Sequence, residues 1–300
     1  MTTAAPADAP TDAPVRPWLP VLAVAVTLAL WASAFVAIRH LGHDFRPGSM
    51  ALGRMLVGAL CLAVVALRRR PLTPPTARDW RILLVIGVLW YATYMVALNA
   101  GERRIDAGTS SMLIQLSPVL IAVLAALFLR ERFTRFIVGG LVLAFAGVVI
   151  ISLATSDHGG HDVVGVLLCL VSAVAYSVSV ILQKPLMGRY PAVQVTWLAC
   201  TIGAVVCLPF AGELVADVRH APLSATLWVV YLGVFPTAIA FTTYGFALTH
   251  MDASRLGITT YLVPVLTVLM AWAWLGETPP PLAYVGGALA LLGVAVARRR

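Results

Sequence analysis

Apolar runs recur along the chain from Trp18 to Ala297, each about twenty residues, enough to cross roughly 30 Å of hydrocarbon as an α-helix. No other feature restricts the fold as strongly. The runs fall at 18–38, 48–67, 80–98, 109–129, 135–153, 163–183, 192–210, 224–246, 254–275 and 281–297. Polar material is too scarce to clothe a water-facing globule. Hydrophobic residues make up 60% of the chain and charged ones 11%, against about 25% charged in a soluble domain. The expected fold class is an all-α integral membrane protein with ten transmembrane helices. "WASAF", Trp31 to Phe35, has the small-x-small spacing of a signal-peptidase site. The apolar stretch before it is long for a signal peptide and its N-terminal flank carries one arginine, Arg16, so the first run reads as a retained helix. Residues 1–17, rich in Ala, Pro, Thr and Asp, read as a disordered tail.

Cys61, Cys169, Cys200 and Cys207 all lie inside apolar runs, where reduced, buried packing is expected rather than disulfides. The net charge of +8 does not point to nucleic acid, because the basic residues sit in short loops and at run ends. Arg16, Arg68, Arg69, Arg70, Arg130, Arg132, Lys184 and Arg298–Arg300 fall on one side of a ten-span layout. Arg39, Arg46, Arg103, Arg104 and Arg219 fall on the other. The excess places both termini in the cytoplasm of a cell-membrane protein. "SDHGGHD" offers His158 and His161 between acids, but nothing fixes a ligand geometry there and a solvated turn is expected. Neither a metal nor a cofactor is expected.

One phrase is written twice. "DAGTSSMLIQLSPVLIAVLAALFLRE", Asp106 to Glu131, returns as "DASRLGITTYLVPVLTVLMAWAWLGE", Asp252 to Glu277. Asp106 and Asp252, Pro118 and Pro264, and Glu131 and Glu277 are each 146 residues apart. Trp31 to Arg39 aligns with Tyr176 to Lys184 at an offset of 145, and Gly140 and Gly147 match Gly286 and Gly293. Five spans per half is an odd number, so the second half must enter the membrane upside down. The loop charges agree: "RERFTR" follows the first copy, whereas "GETPPP", without Lys or Arg, follows the second. The expected layout is a five-helix repeat over 18–153, an external linker at 154–162, a second repeat over 163–297 and a basic end at 298–300. Such inverted halves open to either side by nearly equivalent motions around a midplane site.

The five-plus-five spans, "WASAFVAIR" in the first, "GRMLVGAL" in the second, "NAGERRIDAGTSSM" leading into the fourth and "SPVLIAVLAALFLRERFT" after it resemble the EamA-type members of the drug/metabolite transporter superfamily. The resemblance covers about residues 18–297. It implies a ten-helix inverted-repeat exporter of amino acids, related metabolites or drugs, and leaves the substrate unnamed. The four-span multidrug exporters of that superfamily carry a glutamate in their first helix for proton exchange. Here that helix has no acid, and Glu102, Asp106, Glu131, Asp252 and Glu277 fall at span ends. No embedded carboxylate is expected, and coupling to protons or another ion is left open.

The candidate site follows from the prolines. Pro118 and Pro264 sit near the middle of the fourth and ninth spans, where each removes an amide donor and frees the carbonyl four residues earlier, at Ile114 and Thr260. Freed carbonyls in hydrocarbon must face protein, water or ligand. Gln115 and Tyr261, three residues before each proline, are placed with those carbonyls around a central polar cavity, the prolines acting as hinges. Trp31, Trp90, Tyr94 and Tyr176 are candidates for a stacking surface. Arg54 is the one basic residue well inside a span, roughly 9 Å from its end at 1.5 Å per residue, and an intramembrane charge is a functional-site candidate by default. It would steer a substrate carboxylate; snorkelling is the alternative. Gly140/Gly147 and Gly286/Gly293, seven apart, predict close packing of the fifth and tenth helices as scaffold or dimer contacts.

The expected function is a secondary transporter, exporting amino acids or related metabolites, with a small-molecule substrate, the bilayer as surroundings and an open oligomeric state. The alternatives are a multidrug exporter and an intramembrane enzyme. Against an enzyme, the chain holds no HExxH motif and no phosphate-binding loop.

Overall fold

The structure, a computed structural model, describes residues 18–68, 72–128, 135–156, 163–250, 259–260 and 262–297. Among them every regular element is helical. The chain runs through α1 (Trp18–Leu41), α2 (Pro47–Arg68), α3 (Ala77–Glu102), α4 (Ala107–Ile114), α5 (Ser117–Phe128) and α6 (Arg135–Ser156). It continues through α7 (Val163–Met187), α8 (Ala192–Val206), α9 (Ala211–His220), α10 (Leu223–His250), α11 (Leu262–Leu275) and α12 (Pro281–Ala297). Five of these, α1, α2, α3, α7 and α10, are each long and apolar enough to cross a membrane. The others include shorter apolar helices, among them α11.

Local chemistry sets the ends. Pro47 opens α2, where a missing amide donor costs nothing. Thr76 caps α3 by accepting from the Asp79 amide, and Asp106 caps α4 by accepting from the Thr109 amide at 2.8 Å. The seventh run departs from the single span read over 192–210. The helix stops at Val206, and a short turn at Leu208–Phe210 bends the chain by 53° into α9. Alpha-9 carries Glu213 and Asp217, so it is a polar-faced segment rather than a loop. Asp217 receives the Arg46 guanidinium, 2.8 Å from Nη2, and that pairing raises the pKa of Arg46 above its ordinary value.

Packing follows the small residues. Alpha-6 lies along α12, where a Cβ at Gly147 would come within 2.5 Å of the Gly286 carbonyl oxygen; the fifth and tenth runs therefore pack on each other within one chain. Alpha-2 packs on α8. Alpha-1 packs on α11 and the last part of α10, while α7 packs on α5 and the last part of α3.

Two stretches depart from α-helical winding. Alpha-3 widens to a π-helix over Gly87–Tyr94, and α10 does so over Gly233–Ile239. Their first residues are 146 apart. Each glycine permits a close approach. A Cβ on Gly87 would stand 3.0 Å from the Ala199 oxygen and 2.5 Å from Ile202, while one on Gly233 would stand 2.9 Å from the Arg54 oxygen and 2.5 Å from Val57. Ala199 and Ile202 follow Arg54 and Val57 by 145 residues.

At one end of the bundle, fully buried Asp79 gathers Arg189 at 2.6 and 3.0 Å and the Tyr190 hydroxyl at 2.7 Å. The bond to Asp79 raises the Tyr190 hydroxyl above its ordinary range. At the other end, Arg39 donates from Nε to both Glu277 oxygens at 3.0 and 3.1 Å, and from Nη1 to the Glu102 carbonyl at 3.0 Å. One guanidinium thus ties the end of α1 to the end of α3 and to the segment after α11.

Candidate functional site

Both π-helical stretches bury one face, with Gly87, Trp90 and Tyr91 in the first and Gly233, Pro236 and Thr237 in the second, and the second shows why a helix winds that way. Pro236 lies inside it and has no amide proton to give the Leu232 carbonyl, its normal partner four residues earlier. The Thr237 hydroxyl supplies the bond instead, at 2.9 Å. The same oxygen accepts from Arg54 Nε at 2.7 Å. Arg54 is 3% exposed, so this chain of two hydrogen bonds fixes an embedded guanidinium on α2 against the irregular turn of α10. Such bulges recur at functional sites because they redirect side chains and loosen backbone pairing.

Around this turn stands an aromatic cluster from four helices. Trp31 of α1 lies 5.0 Å from Tyr244 and 5.8 Å from Phe241 of α10, centroid to centroid. Phe241 lies 5.2 Å from Trp90 and 5.4 Å from Tyr91 of α3. Trp90 in turn meets Tyr176 of α7 at 4.9 Å, and Tyr94 meets Tyr176 at 6.1 Å. Trp31, Trp90, Tyr94 and Tyr176, picked out from sequence, are thereby joined, with Phe241 as the link that sequence reading missed. The indole N–H of Trp31 is buried without a hydrogen-bond partner, which leaves a donor among these rings.

The prolines make a second junction. Alpha-4 stops at Ile114, Gln115 and Leu116 form a turn, and α5 begins at Ser117. The Ile114 carbonyl freed by Pro118 accepts from Ser117 Oγ at 2.6 Å. The Thr260 carbonyl freed by Pro264 accepts from Gln115 Nε2 at 2.9 Å. Both carbonyls read as cavity-lining are therefore occupied by protein donors, and Gln115 is the donor that crosses from the break between α4 and α5 to the residue ahead of α11. Pro264 is buried near the start of α11 and Pro118 half-buried at the start of α5. Tyr261, Glu131 and the loop at 157–162 lie outside the described residues.

One expectation is overturned. Glu102, read as a residue at a span end and hence as no embedded acid, has zero exposure, and neither carboxyl oxygen has a hydrogen-bond partner. The span continues past 98 to Glu102, and α7, α1 and α2 close over its end. Asn99, one turn earlier, is equally buried; it donates to the Pro47 carbonyl at 3.1 Å and its own oxygen is unpartnered. The "GERR" context hid this acid, since two following arginines read as a solvated end. The three-residue spacing of Asn99 and Glu102, which puts both on one helix face, was the available signal.

Comparison with known proteins agrees in length and class. Residues 18–153 and 163–299 each match the EamA-like transporter family. A protein of Streptantibioticus cattleyicolor described as a "probable terminal-alkyne amino-acid exporter" is similar at 37% identity over 286 residues, covering 93% of both chains. The uncharacterized transporter YdfC of Bacillus subtilis is 32% identical over 272 residues, 89% of this chain and 87% of its own. A crystal structure at 22% identity superposes with a TM-score of 0.62, covering 93% of this chain and 96% of that one, a likeness of fold.

Proposed function

The chain belongs to the EamA-like transporter family, and from that premise we propose that it is a secondary transporter exporting amino acids or related small metabolites by alternating access. Ten membrane helices form two inverted five-helix repeats, 18–153 and 163–297, in the cell membrane with both termini cytoplasmic. Support comes from paired geometry. The π-helical stretches begin 146 residues apart, and their glycines press on positions of α2 and α8 that are themselves 145 apart. Exchanging the halves turns the contacts of α1 with α11 and α10 into those of α7 with α5 and α3.

The substrate sits among Trp31, Trp90, Tyr94 and Tyr176, with Arg54 receiving its carboxylate. The observation that carries this assignment is the buried Arg54 guanidinium, whose Nε donates to Thr237 beside the aromatic cluster. Pro118 and Pro264 form the hinge on which the halves rock, with Gln115 bound across it to the Thr260 carbonyl. An amino-acid substrate fits both this carboxylate anchor and the name carried by the Streptantibioticus relative.

The test is counterflow in proteoliposomes holding the full chain. Vesicles preloaded with L-propargylglycine, a terminal-alkyne amino acid, or with a panel of L-amino acids, should take up the labelled compound above empty-vesicle level. Uptake at that level across the whole panel would remove the transporter assignment. The orientation has its own check: a tag at 154–162 should be labelled from outside intact cells, and labelling only after permeabilisation contradicts it.

A further inference from the structure

The first turns of α3 carry an arrangement that the transport reading leaves unused. Arg78, Trp80, Arg81, Leu84 and Val85 are all exposed, and at 100° per residue they fall on one side of the helix. Asp79, Leu83 and Ile86, all buried, form the other side. The acid of this stretch is therefore turned inward. Asp79 accepts from Arg189 at 2.6 and 3.0 Å, from the Tyr190 hydroxyl at 2.7 Å and from the Thr76 hydroxyl at 2.7 Å. It is satisfied by the turn between α7 and α8 and offsets neither outward arginine. Among the described residues neither Arg78 nor Arg81 has an ion-pair or hydrogen-bond partner.

The duplication supplies an internal comparison. The π-helical stretches begin at Gly87 and Gly233, and the same step of 146 residues carries the start of α3 onto the start of α10. Burial agrees in that register: Asp79, Leu83 and Ile86 correspond to Ala225, Val229 and Leu232, which are buried too. The outward chemistry does not agree. Arg78 and Arg81 correspond to Ser224 and Leu227, both exposed, and Trp80 to half-buried Thr226. One element, written twice, presents cations and an indole in one copy and neither in the other. Packing does not demand them, because the second copy buries the same side without them.

Two guanidinium groups three residues apart repel each other and favour an anion between them. They also stand near the positive end of the helix dipole, which disfavours cations. Leu84 and Val85 follow Arg78 by six and seven residues, about 9–10 Å along the axis at 1.5 Å per residue. That distance reaches through a headgroup layer of roughly 5–7 Å into hydrocarbon. Trp80, between them, suits the boundary where an indole spans polar and apolar layers. We propose that this end of α3 binds one anionic phospholipid of the cytoplasmic leaflet, its phosphate held by Arg78 and Arg81, with Trp80 at the level of its esters and an acyl chain along Leu84 and Val85. Anionic lipids give that leaflet its negative surface. The choice of leaflet rests on the orientation proposed above; the lipid contact does not depend on transport.

The test uses the full chain in detergent, with phosphatidylglycerol and, as the neutral headgroup, phosphatidylcholine of the same chains. Native mass spectra of wild type should show phosphatidylglycerol retained with roughly ten-fold or more higher affinity, the scale two arginines give against anionic lipid. Arg78→Gln/Arg81→Gln should fall to the phosphatidylcholine level. Arg78→Lys/Arg81→Lys, with both charges kept, should hold most of the preference. A preference that survives in the glutamine pair, or a lysine pair as poor as the glutamine pair, would overturn the proposal. So would inorganic phosphate that protects against thermal unfolding as well as phosphatidylglycerol does. A dimer lost in the glutamine pair would give this face to a second copy of the chain instead. Wild type without headgroup preference, together with a tag at 154–162 labelled only after permeabilisation in the glutamine pair, would reduce the arginines to setting orientation. Lipid retention is read without transport, so a failure of amino-acid counterflow would defeat the transporter reading and leave this site standing.

Discussion

Gln115 donates its side-chain amide to the backbone carbonyl of Thr260, 2.9 Å away and 145 residues along the chain. Pro264 has no amide proton for that carbonyl, which also accepts from the Val263 amide at 3.0 Å. A side chain at the break between α4 and α5 therefore holds the backbone just ahead of α11, so a motion that separates them must also break this bond.

Gln115→Leu removes one of two donors to the Thr260 oxygen, which keeps the Val263 amide at 3.0 Å, a loss of about 0.5–1.5 kcal/mol. The expected result is a lower melting temperature in detergent and reduced counterflow per molecule in the membrane. Loss of membrane abundance in equal proportion to transport would reduce the role of Gln115 to packing.

Arg54→Ala deletes a charge-assisted contact of about 1.5–3 kcal/mol. If the guanidinium receives a carboxylate, exchange of free amino acids should fall about ten-fold or more while that of their carboxamides changes far less. Arg54→Lys should rescue poorly, because an ammonium cannot reproduce the guanidinium fork while holding Thr237. Equal loss for acids and amides would remove the carboxylate assignment.

Gly203 and Gly188 make a matched pair. A Cβ at Gly203 of α8 would fall 2.4 Å from Tyr91 Cβ and 3.0 Å from the Tyr91 backbone, whereas one at Gly188 meets nothing within 4 Å. Gly203→Ala should destabilise by about 1–3 kcal/mol through overpacking, read as a lowered melting temperature. Gly188→Ala should leave it unchanged. Because Tyr91 belongs to the aromatic cluster, Gly203→Ala should also reduce transport in what remains folded.

The runs that form α1, α2, α3, α7 and α10 are legible in sequence, as is the duplicated phrase, because hydrophobic run length and proline position are local. Pro118 locates the break between α4 and α5 for the same reason. What occupies the freed carbonyls depends on how helices cross, so Gln115 could be placed near them but not assigned to Thr260. The π-helical turn at Gly87–Tyr94 leaves no local signal beyond a glycine, whereas Pro236 within Gly233–Ile239 is a visible cause in retrospect. Glu102 was misread for a physical reason. Its burial comes from α7 and α1 packing over the helix end, while its sequence neighbours Arg103 and Arg104 are exposed.

The Arg39–Glu277 pair sets the last expectation. Its side chains are 27% and 31% exposed, so solvent screening limits its contribution to about 0.2–1 kcal/mol. That is little for stability, yet enough to shift a two-state equilibrium by up to about five-fold. Ala37, on α1 in the small groove beside Trp228 and Trp274, is buried in this arrangement. A cysteine introduced as Ala37→Cys should react faster with a membrane-impermeant thiol reagent when Arg39→Ala is added, because the tie between α1, α3 and the end of α11 is gone. Glu277→Ala should accelerate labelling less, since the Arg39 bond to the Glu102 carbonyl survives it. Combining both changes should add little beyond Arg39→Ala, the signature of residues acting through one contact. Labelling rates unchanged in all three backgrounds would mean that the pair does not hold this end of the bundle shut.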